Sequence, residues 1–212
     1  MRKFFTSDFH FNSLNTLQRE NRPFRDVYAM NNAFIRTCNS RAKVDEGDVV
    51  IHVGDLNTDG NDHGVMGGRV PLKNLLRQIE PQFLSLEGNH DANRSNRVKS
   101  IGVALTTRIG QYMATVSHFP SNNARCAVTA FAPCNDKPFH LHLCGHVHGA
   151  WKWMFDAERN VLNVNVGVDV WNYQIVSEDE LAGFVDRLSH QTCCFQSRPH
   201  IMPYLGVFLN RG

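Results

Sequence analysis

The chain is predicted to be an α/β protein with functional residues at its strand ends. Apolar, β-branched runs typical of buried strands alternate along the chain with stretches in which the apolar residues recur at helical spacing. Their order in the first half is strand, helix, strand, helix, strand, which is typical of an α/β sheet. Several of the runs end in short polar blocks, and in open α/β sheets the binding and catalytic sites are built at strand ends.

The first half of the chain supplies three predicted strands, over residues 3–7, 49–53 and 83–86. The run at 49–53 is apolar and β-branched, which favours a central strand covered on both faces. Helices are predicted over residues 27–44 and 70–80, where apolar side chains fall on one face. Residues 56–68 are rich in Gly, Asn and Asp and are predicted to form a loop.

A short polar helix and a loop are predicted over residues 14–25, where Pro23 breaks any longer helix. Arg22 lies in this segment, soon after the polar block that follows the first strand. The default interpretation of the three arginines in this segment, at positions 19, 22 and 25, is a basic face exposed to solvent. Because a guanidinium group also binds phosphate in a bidentate way, we predict that Arg22 contacts the substrate.

The second half of the chain turns to β structure. Strands are predicted over residues 113–117, 127–131, 140–144 and 161–166, and residues 92–99 are predicted to be helix or loop. A last helix is predicted over residues 178–188, with Ser177 as its N-cap. We predict one domain over residues 1–188 and a C-terminal tail over residues 189–212, to which the sequence assigns no role.

Composition limits the classes of partner. The 212 residues fit one domain, and a net charge of +2 is too small to argue for nucleic acid or an anionic membrane surface. The six cysteines form no C-x-x-C pair and no secretory signal precedes them, which predicts a cytoplasmic protein with reduced thiols. No apolar run is long enough to span a bilayer. The sequence leaves the oligomeric state open.

Polar residues capable of binding metals gather at the predicted strand ends. In order they are Asp8, His10, Asp55, Asn89, His90, His118, His146 and His148. Asp8 and His10 are two residues apart, so in extended backbone they point to the same side while Phe9 turns into the core. A set of nitrogen and oxygen ligands without thiolate favours divalent metals such as Mn, Fe, Ni or Zn.

The blocks that contain these residues match an ordered family signature. They are Asp8-Phe9-His10, Gly54-Asp55, Gly88-Asn89-His90-Asp91, His118 and Gly145-His146-Val147-His148. In this order they resemble the D-x-H, G-D, G-N-H-D/E, H and G-H-x-H blocks of the calcineurin-like metallophosphoesterases. The chain is most similar to the small phage and bacterial phosphoesterases, through Arg22-Pro23-Phe24 and the Asn-Val-Gly-Val-Asp stretch at 165–169. The resemblance covers about residues 1–181.

The resemblance implies a fold and a set of residue roles. The fold is two stacked mixed β-sheets flanked by helices, a four-layer αββα sandwich. Two divalent metals are implied, with Mn preferred and Fe, Ni or Zn as alternatives. Asp8, His10 and His148 would hold one metal; Asn89, His118 and His146 would hold the other; Asp55 would bridge them. His90 would face the leaving group, with Asn89 also beside the substrate.

Asp91 has two interpretations. It could orient the ring of His90 and raise the pKa of that ring, which makes it a candidate catalytic residue. Alternatively, it could cap the turn that follows it.

The function that these roles imply is hydrolysis of a phosphodiester or phosphomonoester by a metal-bridging hydroxide, with His90 assisting the leaving group. A phosphodiesterase is favoured, acting on a small phosphoester that includes nucleotides among the candidates. Residues 56–59 do not complete the G-D-x-x-D-R-G pattern of the Ser/Thr protein phosphatases, which argues against that substrate class. Two alternatives stay open, an inactive metal-binding interaction module of the same fold and a nuclease.

Overall fold

The computed structural model describes residues 1–57, 70–91, 100–128 and 139–196, and for residues 190–196 it describes the backbone alone. Its helices are α1 (Leu14–Arg19), α2 (Val27–Arg41), α3 (Leu72–Leu76) and α4 (Glu178–Gln196). Its strands are β1 (Lys3–Thr6), β2 (Val49–His52), β3 (Gln82–Ser85), β4 (Ala104–Ile109), β5 (Tyr112–Ser117), β6 (His140–Cys144), β7 (Trp153–Asp156), β8 (Val161–Asn165) and β9 (Val176–Ser177).

Two mixed sheets form the centre of the described structure. The first has the order β3-β2-β1-β9, with β1, β2 and β3 parallel and β9 antiparallel to β1. The second has the order β4-β5-β6-β8-β7, in which β5, β6 and β8 are parallel and the two edge strands are antiparallel. The α/β fold with two mixed sheets and helices is confirmed.

Two apolar clusters hold the layers together. Phe5 and Ile51 of the first sheet pack with Val116, Leu143 and Val164 of the second. Alternate residues of the first sheet, such as Phe4 and Val50, point the other way and pack against α1, α2 and α3. This is the period-two alternation of a strand, and it explains why the central residues of β1 and β2 are apolar on both faces.

The outer face of the second sheet is polar where the structure describes it. His142 of β6 and Asn163 of β8 are buried there, and the segment 119–128 covers them. The backbone N–H of Ser121 donates to Oδ1 of Asn163 at 2.8 Å, and Nε2 of His142 lies 3.0 Å from the carbonyl oxygen of Phe119. The segment that follows His118 is thereby fixed onto the sheet.

Helix capping agrees with the sequence. Ser177 Oγ accepts from the backbone N–H of Glu180 at 3.2 Å, and Glu180 Oε2 accepts from the backbone N–H of Ser177 at 2.8 Å. This reciprocal pair is a capping box. The prediction of Ser177 as an N-terminal cap is confirmed, although α4 runs on to Gln196, beyond the predicted end at residue 188.

Several element predictions differ from the structure. Strands β4, β7 and β9 were not predicted, and α3 is shorter than the predicted 70–80. β4 and β5 form a hairpin through the two residues 110 and 111, where Gly110 has φ +54°. A two-residue turn with glycine at positive φ is a local hairpin signal that the apolar pattern alone does not register. Ala127 and Val128 are not in a strand, and residues 129–131, 58–69 and 92–99 lie outside the described residues.

No helix among the described residues is both long enough and apolar enough to cross a membrane. Cys38, Cys126 and Cys144 have free thiols.

Candidate metal centre

The loops that follow β1 and β2 run side by side and bring the first ligands together. The backbone N–H of Asp8 donates to the carbonyl of Gly54 at 3.1 Å, and that of His10 donates to the carbonyl of Asp55 at 3.0 Å. These bonds continue the parallel pairing of β1 and β2 beyond the ends of the strands. These backbone hydrogen bonds bring Asp8, His10 and Asp55 together at the end of the sheet where β1 and β2 finish.

Five of the predicted ligands have left-handed backbone. The φ angles are 61° at Asp8, 47° at His10, 57° at Asp55, 71° at His146 and 47° at His148. The prediction that Asp8 and His10 project together from extended backbone is right in outcome and wrong in cause. Left-handed backbone is unfavourable for residues other than glycine, and such strain persists only where surrounding contacts impose it.

The ligating atoms form two clusters. Asp8, His10 and His148 make the first, and Asp55, His118 and His146 make the second, with the ligand atoms of each group within 4.8 Å of one another. The backbone N–H of His146 donates to the Asp8 carboxylate at 3.1 Å and so joins the two clusters. All six residues are among those that the sequence nominates.

Asp55 lies between the two clusters. Its Oδ2 atom is 3.2 Å from Nε2 of His118 in the second cluster and 3.6 Å from Nε2 of His10 in the first. Its Oδ1 atom accepts from the backbone N–H of His90 at 2.8 Å. The side chain is 2% exposed. One carboxylate thus faces both clusters.

Asn89 faces the second cluster. Its Oδ1 atom is 3.1 Å from Nε2 of His118 and 3.1 Å from Nδ1 of His146. An amide oxygen here adds a neutral ligand and no negative charge.

Two imidazoles are oriented by contacts at their outer nitrogens. His118 Nδ1 lies 2.9 Å from the carbonyl oxygen of Val53, and His148 Nδ1 lies 3.0 Å from Oδ2 of Asp169. An N–H donated to each of these acceptors leaves Nε2 unprotonated, which is the form a metal requires.

Gly54 is required where β2 turns into the site. Its φ is +87°, and a Cβ atom there would lie 2.7 Å from Nδ1 of His118. No side chain fits between the two, so the glycine allows His118 to approach the loop that carries Asp55.

The residues present fit a pair of divalent metal ions. His10 is 2% exposed, and its Nε2 atom has no hydrogen-bond partner among the residues that the structure describes. Burial holds the pKa of His10 well below its usual value, so the ring is neutral. A buried, unpartnered nitrogen lone pair beside a carboxylate is costly without a ligand, and a bound cation would satisfy it.

The charge balance of the site also favours cations. Burial raises the pKa of Asp8. Burial alone would lower the pKa of His118, but the hydrogen bond to Asp55 and the negative charges of Asp8 and Asp55 together outweigh it and raise that pKa to about 9. In the absence of metal, a proton at His118 therefore offsets the negative charge of the carboxylates.

His90 belongs to neither cluster. Its ring is 32% exposed, and its Nε2 atom is 4.0 Å from Oδ2 of Asp55. The ring meets the His10 ring edge to face, with 5.1 Å between centroids. This placement beside the site agrees with the predicted role at the leaving group, which stays a prediction.

The carboxylate of Asp91 does not lie where a catalytic role beside His90 would require it. Its Oδ2 accepts from the backbone N–H groups of Asp55 and Gly88 at 2.7 and 2.8 Å, and its Oδ1 accepts from that of Leu56 at 3.0 Å. The prediction that Asp91 orients the ring of His90 is wrong, because the carboxylate is turned toward the loop of Asp55. Asp91 fixes backbone instead, which is closer to the capping alternative.

Arg22 is also placed differently. Its side chain is 0% exposed, and all five of its N–H donors have partners. Asp169 accepts two of them. The predicted contact between Arg22 and a substrate phosphate is wrong, because neither exposure nor a free donor remains for it.

The stretch 165–169 was predicted only as part of the family resemblance, with no role in the site, yet two of its residues support the site. Asp169 contacts both Arg22 and His148. Asn165 donates from Nδ2 to the carbonyls of His148 and Trp151, both at 2.8 Å, which holds the turn that carries His148. The sequence feature that could have indicated them is a polar side chain at the end of a buried strand and another shortly after it, since buried polar groups need partners.

Comparisons with known proteins were made over the whole chain. No family model matches it. The uncharacterized protein MJ1445 of Methanocaldococcus jannaschii is 34% identical over 188 residues, which are 88% of this chain and 93% of that protein. AQ665 of Aquifex aeolicus, a protein of unknown function, has a similar fold, with a TM-score of 0.58 at 18% identity over 86% of this chain and 98% of that chain. YfcE, a phosphoesterase from E. coli, aligns at a TM-score of 0.45 and 15% identity over 78% of each chain, which is too distant to support an argument.

Proposed function

We propose that this chain, which belongs to one family with MJ1445, is a calcineurin-like metallophosphoesterase, and that it acts as a metal-dependent phosphoesterase that favours phosphodiesters. The single observation that carries the proposal is the position of Asp55. Its Oδ2 atom faces His118 at 3.2 Å and His10 at 3.6 Å, one from each cluster. A carboxylate so placed can be shared by two cations.

The proposed ligands divide between two metals. Asp8, His10 and His148 would hold one; Asn89, His118 and His146 would hold the other; Asp55 would contribute to both. Two divalent ions in such a site supply a nucleophile at neutral pH and offset charge on the phosphoryl oxygens. Manganese is our first candidate, with Fe, Ni and Zn as alternatives that the same nitrogen and oxygen ligands accept.

His90 is the proposed general acid. Its ring is 32% exposed beside Asp55 and belongs to neither metal cluster, so a substrate bound at the metals could contact its exposed part. An imidazole there would give its proton to the leaving oxygen, a transfer of the kind that contributes about 10²–10⁴-fold to rates.

The preference for diesters rests on charge. A phosphodiester carries one negative charge, whereas a phosphomonoester carries up to two at neutral pH. Arg22, which the sequence predicts to contact the substrate, instead donates to Asp169, to two backbone carbonyls and to Met30 Sδ. We propose a small diester as the substrate class, with nucleotides among the candidates.

The proposal is tested by a metal add-back assay. The protein is stripped with chelator, supplied with Mn, Ni, Zn or Mg, and assayed with bis(4-nitrophenyl) phosphate and with 4-nitrophenyl phosphate. We expect turnover that requires metal and favours the diester, and none with His118→Ala prepared in the same way. Preference for the monoester would indicate a phosphatase. No turnover with any metal, although ions bind, would favour the inactive binding module.

A further inference from the structure

A buried ion pair lies directly behind the first metal cluster. Arg22 Nε donates to Oδ1 of Asp169 at 2.8 Å, and Nη2 donates to Oδ2 at 2.9 Å. The two side chains are 0% and 5% exposed, and they are 147 residues apart in sequence. Bidentate arginine–carboxylate pairs of this kind are strong and geometrically specific.

Arg22 also fixes the backbone that presents the first ligands. Its Nη2 donates to the carbonyl of Asp8 at 2.7 Å, and its Nη1 donates to the carbonyl of Phe9 at 3.0 Å. Asp8 and His10, on either side of Phe9, both have left-handed φ. The guanidinium group is therefore one of the contacts that hold this unfavourable turn in place.

Asp169 completes the connection on the other side. Its Oδ2 accepts from Nδ1 of His148 at 3.0 Å, as well as from Arg22. A carboxylate behind a histidine ligand fixes the ring and makes its inner nitrogen more basic. One ion pair thus touches Asp8 and His148, two of the three ligands in the first cluster.

The second cluster is supported differently. The Nδ1 atom of His118 faces the neutral carbonyl of Val53, and among the residues that the structure describes no ion pair links its imidazoles to a carboxylate outside the cluster. The two clusters therefore differ in how their histidine ligands are held and polarised.

We propose that Arg22 and Asp169 are positioning residues that make the Asp8–His10–His148 half the tighter of the two metal sites, so that it fills first. The inference rests on the proposed dinuclear site and deepens it. Neither residue would touch a substrate, because both side chains are buried and their polar atoms form hydrogen bonds with other residues of the protein. Removing a carboxylate that supports a histidine ligand typically weakens metal binding by about 10–100-fold.

A titration of metal-stripped protein with Mn²⁺ tests the proposal without any hydrolysis assay. Bound and free ion are separated by their electron paramagnetic resonance signals. Wild type should show two steps, and His148→Ala and His146→Ala should assign the tight and the weak step respectively. In Asp169→Asn, the amide N–H₂ would face either Arg22 or His148, both of which donate to the carboxylate in wild type, so one of these hydrogen bonds would be lost. The tight step should therefore weaken by about 10–100-fold. The weak step should stay within about threefold.

Arg22→Lys provides a second variant that keeps the positive charge. A lysine has one point charge and cannot reach Asp169 and two carbonyls together, so the tight step should weaken there as well. The matched control is Asp48→Asn. Asp48 is a buried carboxylate paired with Arg2 at 2.8 Å, and it lies just before β2, at the end of the strand opposite to Asp55. It should leave both steps unchanged.

Several outcomes would overturn the inference. These are two equal steps in wild type, equal weakening of both steps in Asp169→Asn and Arg22→Lys, no weakening in either variant, or the same loss in Asp48→Asn. A wild-type chain that binds no Mn²⁺ would overturn the proposed function together with the inference. A wild type that binds two ions but hydrolyses nothing would overturn the proposed activity alone.

Discussion

The carboxylate of Asp91 accepts a hydrogen bond of 2.7 Å from the backbone N–H of Asp55. The same carboxylate accepts from the backbone N–H groups of Gly88 and Leu56. The loop that follows β3 is thereby tied to the loop that follows β2. Asp55 has a left-handed backbone, which needs supporting contacts, and the hydrogen bond from its N–H to Asp91 is one of them. This contact therefore helps to hold the Asp55 carboxylate where it faces both metal clusters.

Replacing Asp91 with Asn should lower both stability and activity. In the variant, the amide N–H₂ would face backbone N–H groups that in wild type donate to the Asp91 carboxylate, so donor would meet donor. We expect a loss of about 1–3 kcal/mol in the free energy of unfolding, the usual effect of an unmatched buried polar group. Denaturant unfolding and the metal-dependent rate measure the two effects. Glu87→Gln, an exposed change in the same turn, is the control and should leave both unchanged. An Asp91→Asn variant as stable as wild type would contradict the account.

Replacing His90 with Ala should separate metal binding from turnover. His90 is in neither metal cluster, so two ions should still bind, while kcat should fall by about 10²–10⁴-fold for a poor leaving group such as an alkoxide. For 4-nitrophenolate, which needs little proton assistance, the fall should be smaller. The comparison requires kcat for both substrates and the metal content of the variant. Loss of a metal ion in His90→Ala would mean that the ligand assignment is wrong.

Acid should weaken the fold through Asp48. Burial alone would raise the pKa of Asp48, but hydrogen bonds from Arg2 and from the backbone N–H of Lys43 outweigh it and hold the pKa at about 2. The folded pKa lies below the ordinary value of 3.8, so the stabilisation is fully present above about pH 4 and is lost as the pH falls toward 2. Over that window the unfolding free energy of wild type should fall more steeply than that of Asp48→Asn. Asp45→Asn, an exposed change nearby, should follow wild type. Equal slopes for wild type and Asp48→Asn would contradict this role.

Removing metal should destabilise the wild-type protein. A ligand that binds the folded chain alone stabilises it by about 2.7 kcal/mol when its concentration is 100 times its Kd. The Tm should therefore fall with chelator and return with Mn²⁺. In His118→Ala the difference between the two Tm values should be smaller, since the second cluster has lost an imidazole. A Tm that does not respond to Mn²⁺ in wild type would argue against a metal site.

The sequence predicted the site better than it predicted the backbone that builds it. Strands β1 and β2 are recognisable because both faces are apolar, and the polar blocks stand out directly after them. The left-handed turns at Asp8, His10 and Asp55 could not be predicted, because Asp and His adopt positive φ too rarely for their presence in a sequence to indicate it. Contacts from distant parts of the chain impose these turns.

Long-range partners explain the two residues that were assigned incorrectly. Arg22 resembles a free phosphate ligand in sequence, since its acidic partner Asp169 is 147 residues away. Asp91 is next to His90 in sequence, yet it binds the loop of Asp55, which lies 36 residues earlier. Adjacency in sequence indicated the wrong neighbour in both cases. Asp91 reaches Asp55 because β2 and β3 are neighbours in the first sheet. Asp169 reaches Arg22 because the segment after β8 of the second sheet pairs with the end of β1.

The metal content of wild type and of Asp55→Ala tests the central claim most directly. Both proteins are dialysed to equilibrium against Mn²⁺ at a concentration above both binding steps, and bound ion is measured by elemental analysis as the excess over the dialysate, relative to protein concentration. The shared carboxylate predicts about two ions per chain in wild type and fewer than one in Asp55→Ala, because each cluster loses a ligand oxygen. One ion per chain in wild type, or two ions in both proteins, would contradict a dinuclear centre joined by Asp55.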